Sequence, residues 1–558
     1  MTLNLLDKIG NWNPQLFREI KGRWKMGNIA IASAFSLSVQ VLIFMYWKAQ
    51  IPVAPPHGEY TNLIYHRFCT LEGAGYNQPK CLRDALGNFM IDWQQWWVEI
   101  FIWLSIFSVL ALLVAGTYML VGDLDKEERR GTLNFIRLSP QSAKAIFIGK
   151  IIGVPILLYL AAILVVPLHL YSGLAARIPL NGILCFYIAV IASCTLFYSA
   201  AMLFGLTTSW LGGFQPWLAS GTVFVVYWIS AIQFTPRSAF DLVRFLSPIA
   251  VLRYLVFGVV QKYNYFYWLV EDLDKLQWFY SPVGTNIASG LALFLLIYGT
   301  GTYWLWQGWQ RRFPNPNGTV LSKRQSYLVV MCCQSIFLGF ALRDKTTFSN
   351  NIGVLLLFNL LLFLALIAAL TSDRQSLYDW ARYRQQIVPS GHKLWRRYPL
   401  MDLVWSEKSP AVVAIAINLL ISVMILTPLT LFQTVETKNF WGVVCCLNLI
   451  LIYAAITQLF LFTKTRNQEI WAAGTVCSAI VLPPLILSML LLNPEKAPML
   501  WLFSTFAGFG FSRSLTASGN TILLSILSQW TVFVLLNLKL RSQLKLAGQS
   551  ASKVLLKA

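Results

Sequence analysis

The densest run of chemically capable side chains is Asp123-Leu124-Asp125-Lys126-Glu127-Glu128-Arg129-Arg130, charged at every position but one. Asp125 and Arg129 stand four apart, and Glu127 and Arg130 three apart, the spacings at which opposite charges meet on a helix. Such pairs support a helix that has left an apolar environment; they are not the pattern of a catalytic centre. Gly131 then breaks the helix. Leu133, Phe135, Ile136 and Leu138 follow as an apolar patch on a short second helix, among Thr132, Asn134 and Arg137. Ser139 reads as a cap and Pro140 as the first residue of a third helix, which runs on through Gly149 and Lys150. The expected product is a hairpin with a mixed charged and apolar surface, a shape suited to holding a partner protein.

Other reactive types give less. The phosphate-cradling pattern Gly-x-x-x-x-Gly-Lys-Ser/Thr is absent, because Ile151 follows Gly149-Lys150 and Lys144 stands where the first glycine belongs. The histidines form no metal spacing and no Cys-x-x-Cys occurs. Cys69 and Cys81 share one loop, so a disulfide is expected if that loop faces an oxidising space. The other cysteines lie in apolar runs and read as packing residues. Within those runs ionisable groups are scarce. Glu99 sits at the outer edge of one, and His169 near the outer end of another reads as an interfacial hydrogen-bonding residue. Charges inside a bilayer are usually kept for ion or proton handling, so their scarcity argues against a proton- or sodium-coupled carrier. Glu59, Glu72, Asp84, Asp92 and two histidines are scattered among bases in 48–97. They leave open a membrane-embedded enzyme acting on a lipid-linked substrate, and a non-transporting assembly scaffold is the other alternative.

The elements that position these residues are set by composition. The chain has 558 residues, 57% hydrophobic and 12% charged, with mean hydropathy +0.59. Soluble domains carry roughly 25% charged residues, so too little polar surface is present for a water-soluble particle of this size. The apolar residues fall in blocks of about 20, enough for a helix to cross roughly 30 Å of hydrocarbon. They lack the alternation of a β-barrel. The fold class expected is all-α, a polytopic membrane bundle of about twelve spans in two six-helix halves. The spans lie near 28–47, 98–121, 146–171, 182–205, 215–233 and 284–306, then 326–342, 352–371, 411–432, 441–463, 470–492 and 518–538. With both termini inside, inner segments hold about 29 of the 44 Lys and Arg, which obeys the positive-inside bias. The net charge of +21 is thereby assigned to inner loops and not to nucleic acid.

Residues 1–27 form a polar, basic lead into an uncleaved first span. Within it, Asn13 caps a helix starting at Pro14, and Leu16, Ile20 and Trp24 recur on one face, as in a helix lying in the headgroup plane. Residues 28–306 make the first half, 307–325 a linker, 326–538 the second half, and 539–558 a basic tail. Each half has its largest charged inner loop between its second and third spans, 122–145 and 372–410. Pro155, Pro167, Pro428, Pro483 and Pro484 are expected kinks. The outer segment 234–283, with Phe245, Leu246, Leu252, Leu255 and Phe257 among Arg244, Arg253 and Lys262, is expected to form helices dipping back into the bilayer.

On these residues the chain resembles the ATP-binding-cassette type-2 exporter permeases. The match runs through Glu127, Glu128, Gly131, Thr132, Leu133, Leu138, Ser139, Pro140, Gly149 and Lys150, about 30 residues at the place the topology requires. The resemblance implies that loop 122–145, with Arg130 among its charges, is a coupling helix seated on a separate ATPase subunit. It implies that residues 1–27 are the connecting helix, and that ATP is bound by the partner, leaving this chain without a cofactor or enzymatic activity of its own. It further implies export and a bacterial-type inner membrane, while the scarcity of ionisable groups in the spans points to an apolar or amphipathic substrate. The second loop departs from the pattern: Asp373, Arg374, Trp380, Glu407 and Lys408 keep the charge, and Ser409-Pro410 keeps the helix start, but Gly-Thr-Leu is missing. If two ATPase sites bind one such chain, the two contacts are expected to differ.

Overall fold

The computed structural model describes residues 8, 10–53, 67–72, 80–231, 238–260, 273, 275–342, 348–387, 399–433, 437–463, 468–492, 498–504 and 519–549. Glu59, both histidines of the first loop, Lys262 and residues 550–558 lie outside them, as do the side chains of Glu72 and Pro428. The chain is a polytopic helical membrane protein. Among the described residues, nine helices are long and apolar enough to cross a membrane. Contacts divide it into two compact units.

The first unit comprises Met1–Pro236, Asp241–Leu276 and Pro282–Phe313. Its helices are α1 (Pro14–Arg23), α2 (Met26–Ala49), α3 (Trp93–Arg129), α4 (Thr132–Arg137), α5 (Ala143–Gly153), α6 (Ile156–Ala175), α7 (Leu180–Thr207), α8 (Gln215–Ala231), α9 (Asp241–Arg244), α10 (Ile249–Val260) and α11 (Ile287–Arg312). Of these, α2, α3, α6, α7 and α11 meet the membrane-crossing length and apolarity; α8, with 17 residues, is shorter. The expected third span 146–171 is not one helix. It breaks between Gly153 and Ile156, because Pro155 has no N–H to give and its ring crowds the preceding turn. Pro167 is absorbed inside α6. Helices α9 and α10 do form within 234–283, with Phe245, Leu252 and Leu255 buried.

Midway along α3 the backbone takes one π turn, Ala111–Ala115. A π turn releases carbonyls from the regular ladder. Tyr198 of α7 donates to one of them, Leu112 O, at 2.7 Å. Gly116 makes room: a Cβ there would stand 2.2 Å from the Tyr198 hydroxyl. Between α2 and α3, the strands β1 (Leu71–Glu72) and β2 (Lys80–Cys81) pair antiparallel, and Cys69 is bonded to Cys81.

The second unit comprises Pro314–Ala558 with Arg237–Phe240 and Gln277–Ser281. Its helices are α12 (Lys323–Ala341), α13 (Phe348–Leu370), α14 (Arg374–Ile387), α15 (Pro399–Trp405), α16 (Val412–Gln433), α17 (Thr437–Phe460), α18 (Gln468–Met489), α19 (Pro498–Trp501) and α20 (Gly519–Gly548). Helices α13, α17, α18 and α20 meet the crossing criterion within their described residues; α12 and α16 do not. Helices α12, α13 and α16 are joined by buried amides and hydroxyls. Gln334 donates to Asn359 and to Ser422 Oγ, and Asn418 donates to Ser326 Oγ at 2.9 Å. Such bonds hold helices together where no water competes.

Candidate functional site

The charged hairpin of the first unit, residues 122–145, is built around one lysine. Lys150, on α5, is fully buried. Its Nζ lies 2.6 Å from Asp123 Oδ2, 2.7 Å from Glu127 Oε2 and 3.6 Å from Glu19 Oε1. Two arginines of α1 close the network: Arg18 pairs with Glu19 and Glu127, and Arg23 with Glu19 and, at 2.5 Å, with Asp123. Three cations therefore face three carboxylates, and the cluster, buried at Lys150 and Glu19 and open to solvent at Arg18, is neutral. The carboxylate oxygens lie within 4.8 Å of one another, a spacing that would also suit a metal ion, but Lys150 Nζ is already in reach of all three. Burial works against the Arg23 cation, yet Glu19 and Asp123 outweigh it and hold its pKa above the usual guanidinium value.

Two glycines let the cluster assemble. Gly149 and Gly153 stand one turn apart on α5. A Cβ on Gly149 would meet Leu16 N at 2.8 Å, and one on Gly153 would meet Glu19 Cβ at 2.5 Å. The spacing is that of small-residue seams where helix backbones touch. Asn13 fastens the same seam: its Oδ1 accepts from Leu16 N at 3.0 Å and caps α1, while its Nδ2 donates to Ala145 O at 2.8 Å. So α1 is fastened to the bundle. It packs along α5 with Gln15, Leu16 and Glu19 buried, while Trp24, beyond its end, is exposed.

The rest of the hairpin follows the expected outline with three corrections. Gly131 is left-handed at φ 69°, and Asp125 pairs with Arg129. Glu127 does not pair with Arg130; it turns towards buried Lys150, where little water weakens the attraction, and towards Arg18 of α1. Ser139 and Pro140 do not start the next helix. Ser139 Oγ donates to Ile136 O and closes α4, and Ser142 caps α5 by accepting from Ala145 N. The apolar patch of α4 divides: Leu133 and Ile136 enter a core with Leu120, Phe147 and Trp309, whereas Phe135 and Leu138 are 77% and 84% exposed. Exposed Glu128, Arg130 and Thr132 flank them.

In the second unit the expected loop 372–410, of which 388–398 lie outside the described residues, is built on other contacts. Trp380 of α14 donates to Asp402 Oδ2 at 2.8 Å, and Arg384 reaches the same carboxylate. Arg374 donates to the Tyr378 hydroxyl at 3.2 Å, and Asp373, Glu407 and Lys408 are exposed. Ser409-Pro410 again precedes the helix rather than starting it, since α16 begins at Val412. Here Ser409 Oγ accepts from buried Lys323 at 2.6 Å, and Leu403 O accepts at 2.7 Å. Lys323, at the head of α12 and ahead of the expected span, has no carboxylate ion pair among the described residues. Burial pushes its pKa down to about 8, with Asp402 and Glu407 opposing. Its lowered folded value favours the neutral form, so the penalty is present below pH 8 and fades as pH rises towards the unfolded value. Thermal unfolding of the second unit is thus expected to shift upward between pH 8 and 10, and a Lys323→Met variant should lose that slope.

Residue types alone do not single out Lys150, Glu19, Asp123, Arg18 or Arg23 as a set. The available signal is a lysine inside an apolar run, which demands a buried anion, together with glycines at 149 and 153. Compared with known proteins, the chain matches no family model, no curated protein and no solved structure.

Proposed function

We propose that this chain is the permease of an ATP-driven transporter, with the inner hairpin of its first unit as the seat for a separate ATPase subunit. The reading carries twelve spans in two six-helix halves, both termini on the cytoplasmic side, and export of an apolar or amphipathic substrate. One observation carries it. Phe135 and Leu138 project from a short helix whose other face, Leu133 and Ile136, is locked into the core and whose root is the neutral cluster around Lys150. A rigid apolar knob ringed by charge is what a force-transmitting contact needs; a mobile loop would absorb the stroke. The coupling-loop residues Glu127, Glu128, Arg130, Gly131, Thr132, Leu133, Leu138, Ser139 and Pro140 then divide by role. Glu127 and Leu133 brace, Gly131 turns the chain, Ser139 with Pro140 after it closes the short helix, and Glu128, Arg130, Thr132 and Leu138 face the partner.

The test is co-purification from native membranes. Phe135→Glu with Leu138→Glu removes two apolar contacts worth about 1.5–3 kcal/mol each when buried, so ATPase recovery should fall at least about tenfold while the chain inserts and folds normally. Undiminished ATPase recovery, or no ATPase with the wild-type chain, would count against the reading.

A further inference from the structure

At the far end of α3 from the Lys150 cluster, by roughly 36 Å of helix, a second set of polar side chains is sealed into the bundle. Glu99 is 1% exposed, and neither carboxylate oxygen accepts a hydrogen bond. Gln95, one turn earlier on the same face, is fully buried with both amide atoms unpartnered. The Trp103 indole N–H, one turn later, stands near the carboxylate but outside hydrogen-bond geometry. Folded proteins leave few such atoms unsatisfied, and a group of them on one helix face asks for an occupant.

The one charge answering Glu99 among the described residues is Arg67, whose Nη1 is 3.7 Å away, beyond hydrogen-bonding distance. Arg67 enters beside the Cys69–Cys81 bond, and its guanidinium lies 4.6 Å from the Trp47 ring and 4.8 Å from the Phe68 ring. Trp47 in turn stands 6.1 Å from Phe68 and 6.4 Å from Trp103, centroid to centroid. Trp96 Nε1 donates to Trp47 O at 2.9 Å and fixes that wall.

The Trp47 and Phe68 faces that hold the Arg67 guanidinium beside one buried carboxylate select a cation whose charge is spread over carbon and nitrogen. A bare metal ion would want several oxygen ligands, and this setting offers one carboxylate and one amide. Anions are repelled by Glu99. We propose that Gln95, Glu99 and the Trp47–Phe68–Trp103 cage form a binding site for a small organic cation, an ammonium or guanidinium head, in which Arg67 sits as a displaceable plug. The site belongs to the first unit alone and does not depend on an ATPase docking elsewhere.

The experiment uses the full chain in detergent, titrated calorimetrically with methylguanidinium or tetramethylammonium chloride against sodium chloride at equal ionic strength. Arg67→Ala should bind at least tenfold more tightly than wild type, and Arg67→Ala with Glu99→Gln should lose that binding. If Arg67→Ala is not recovered folded, Arg67→Gln, which keeps the stem without the charge, makes the same comparison. A folded Arg67 variant that binds neither cation, or binding that survives Glu99→Gln, would overturn the site and leave Arg67 and Glu99 as an ordinary structural pair.

Discussion

Replacing Lys150 with methionine should release α1 from the bundle and cost about 3–5 kcal/mol, the scale for removing one partner from a buried ion pair. The volume is nearly kept, so packing is not the cause. What remains is Glu19, Asp123 and Glu127 within 4.8 Å of one another, facing only Arg18 and Arg23. Three crowded carboxylates, Glu19 buried and Asp123 and Glu127 half-buried, are held poorly by two guanidinia, and the cheapest escape is for Glu19 to leave with its helix. Hydrogen exchange across residues 14–23 and trypsin cleavage after Lys21 or Arg23 should both rise sharply. Adding Asp123→Asn to Lys150→Met removes the surplus negative charge and should recover part of the loss. Lys150→Arg should not restore wild type, because a planar guanidinium does not fit a fully enclosed slot shaped for a point charge. Unchanged protection of residues 14–23 in Lys150→Met would show that the cluster does not hold α1.

Gly149→Val is expected to reach the same end point by steric means. Its Cβ would stand 2.8 Å from a backbone nitrogen, Leu16 N, which no rotamer change can move. Gly153→Val presses Glu19 Cβ at 2.5 Å. Overpacking of this kind typically costs about 1–3 kcal/mol, and the Glu19–Lys150 contact is lost in addition. The control is Gly22→Ala in α1 itself: a Cβ there meets nothing within 4 Å, so the change should be neutral or slightly stabilising. Intact α1 protection in Gly149→Val would exclude the close seam as the device that holds it. Both substitutions should also weaken ATPase recovery less than Phe135→Glu with Leu138→Glu, since they loosen the brace and leave the knob present.

How legible this was depends on the distance over which each feature is decided. Local features read correctly. Asn13-Pro14 announces the start of α1, Gly131 the turn, and Asp125 with Arg129 an ion pair, because each is settled within one helical turn. The same local reasoning misplaced the start of α5. Ser139-Pro140 and Ser142 are both plausible caps, and only packing, which draws Ser139 Oγ back to Ile136 O, decides between them. Glu127 illustrates the larger gap. Arg130 is its neighbour in sequence, but Lys150 and Arg18 lie 23 and 109 positions away, and burial gives Lys150 the greater Coulombic weight. The membrane class followed from composition because every apolar block contributes to it. The Glu99 cage did not, because its walls come from three separate stretches of chain.

The π turn at Ala111–Ala115 has a consequence for the rod it interrupts. One surplus residue advances everything beyond it by about 100° around the helix axis. Gln95 and Glu99 at one end, and Asp123 and Glu127 at the other, therefore aim where they do only because that extra residue is counted. Excising any single residue from 111–115 would leave a smoother, straighter cylinder, yet it would turn one of its two charged ends away from its partners.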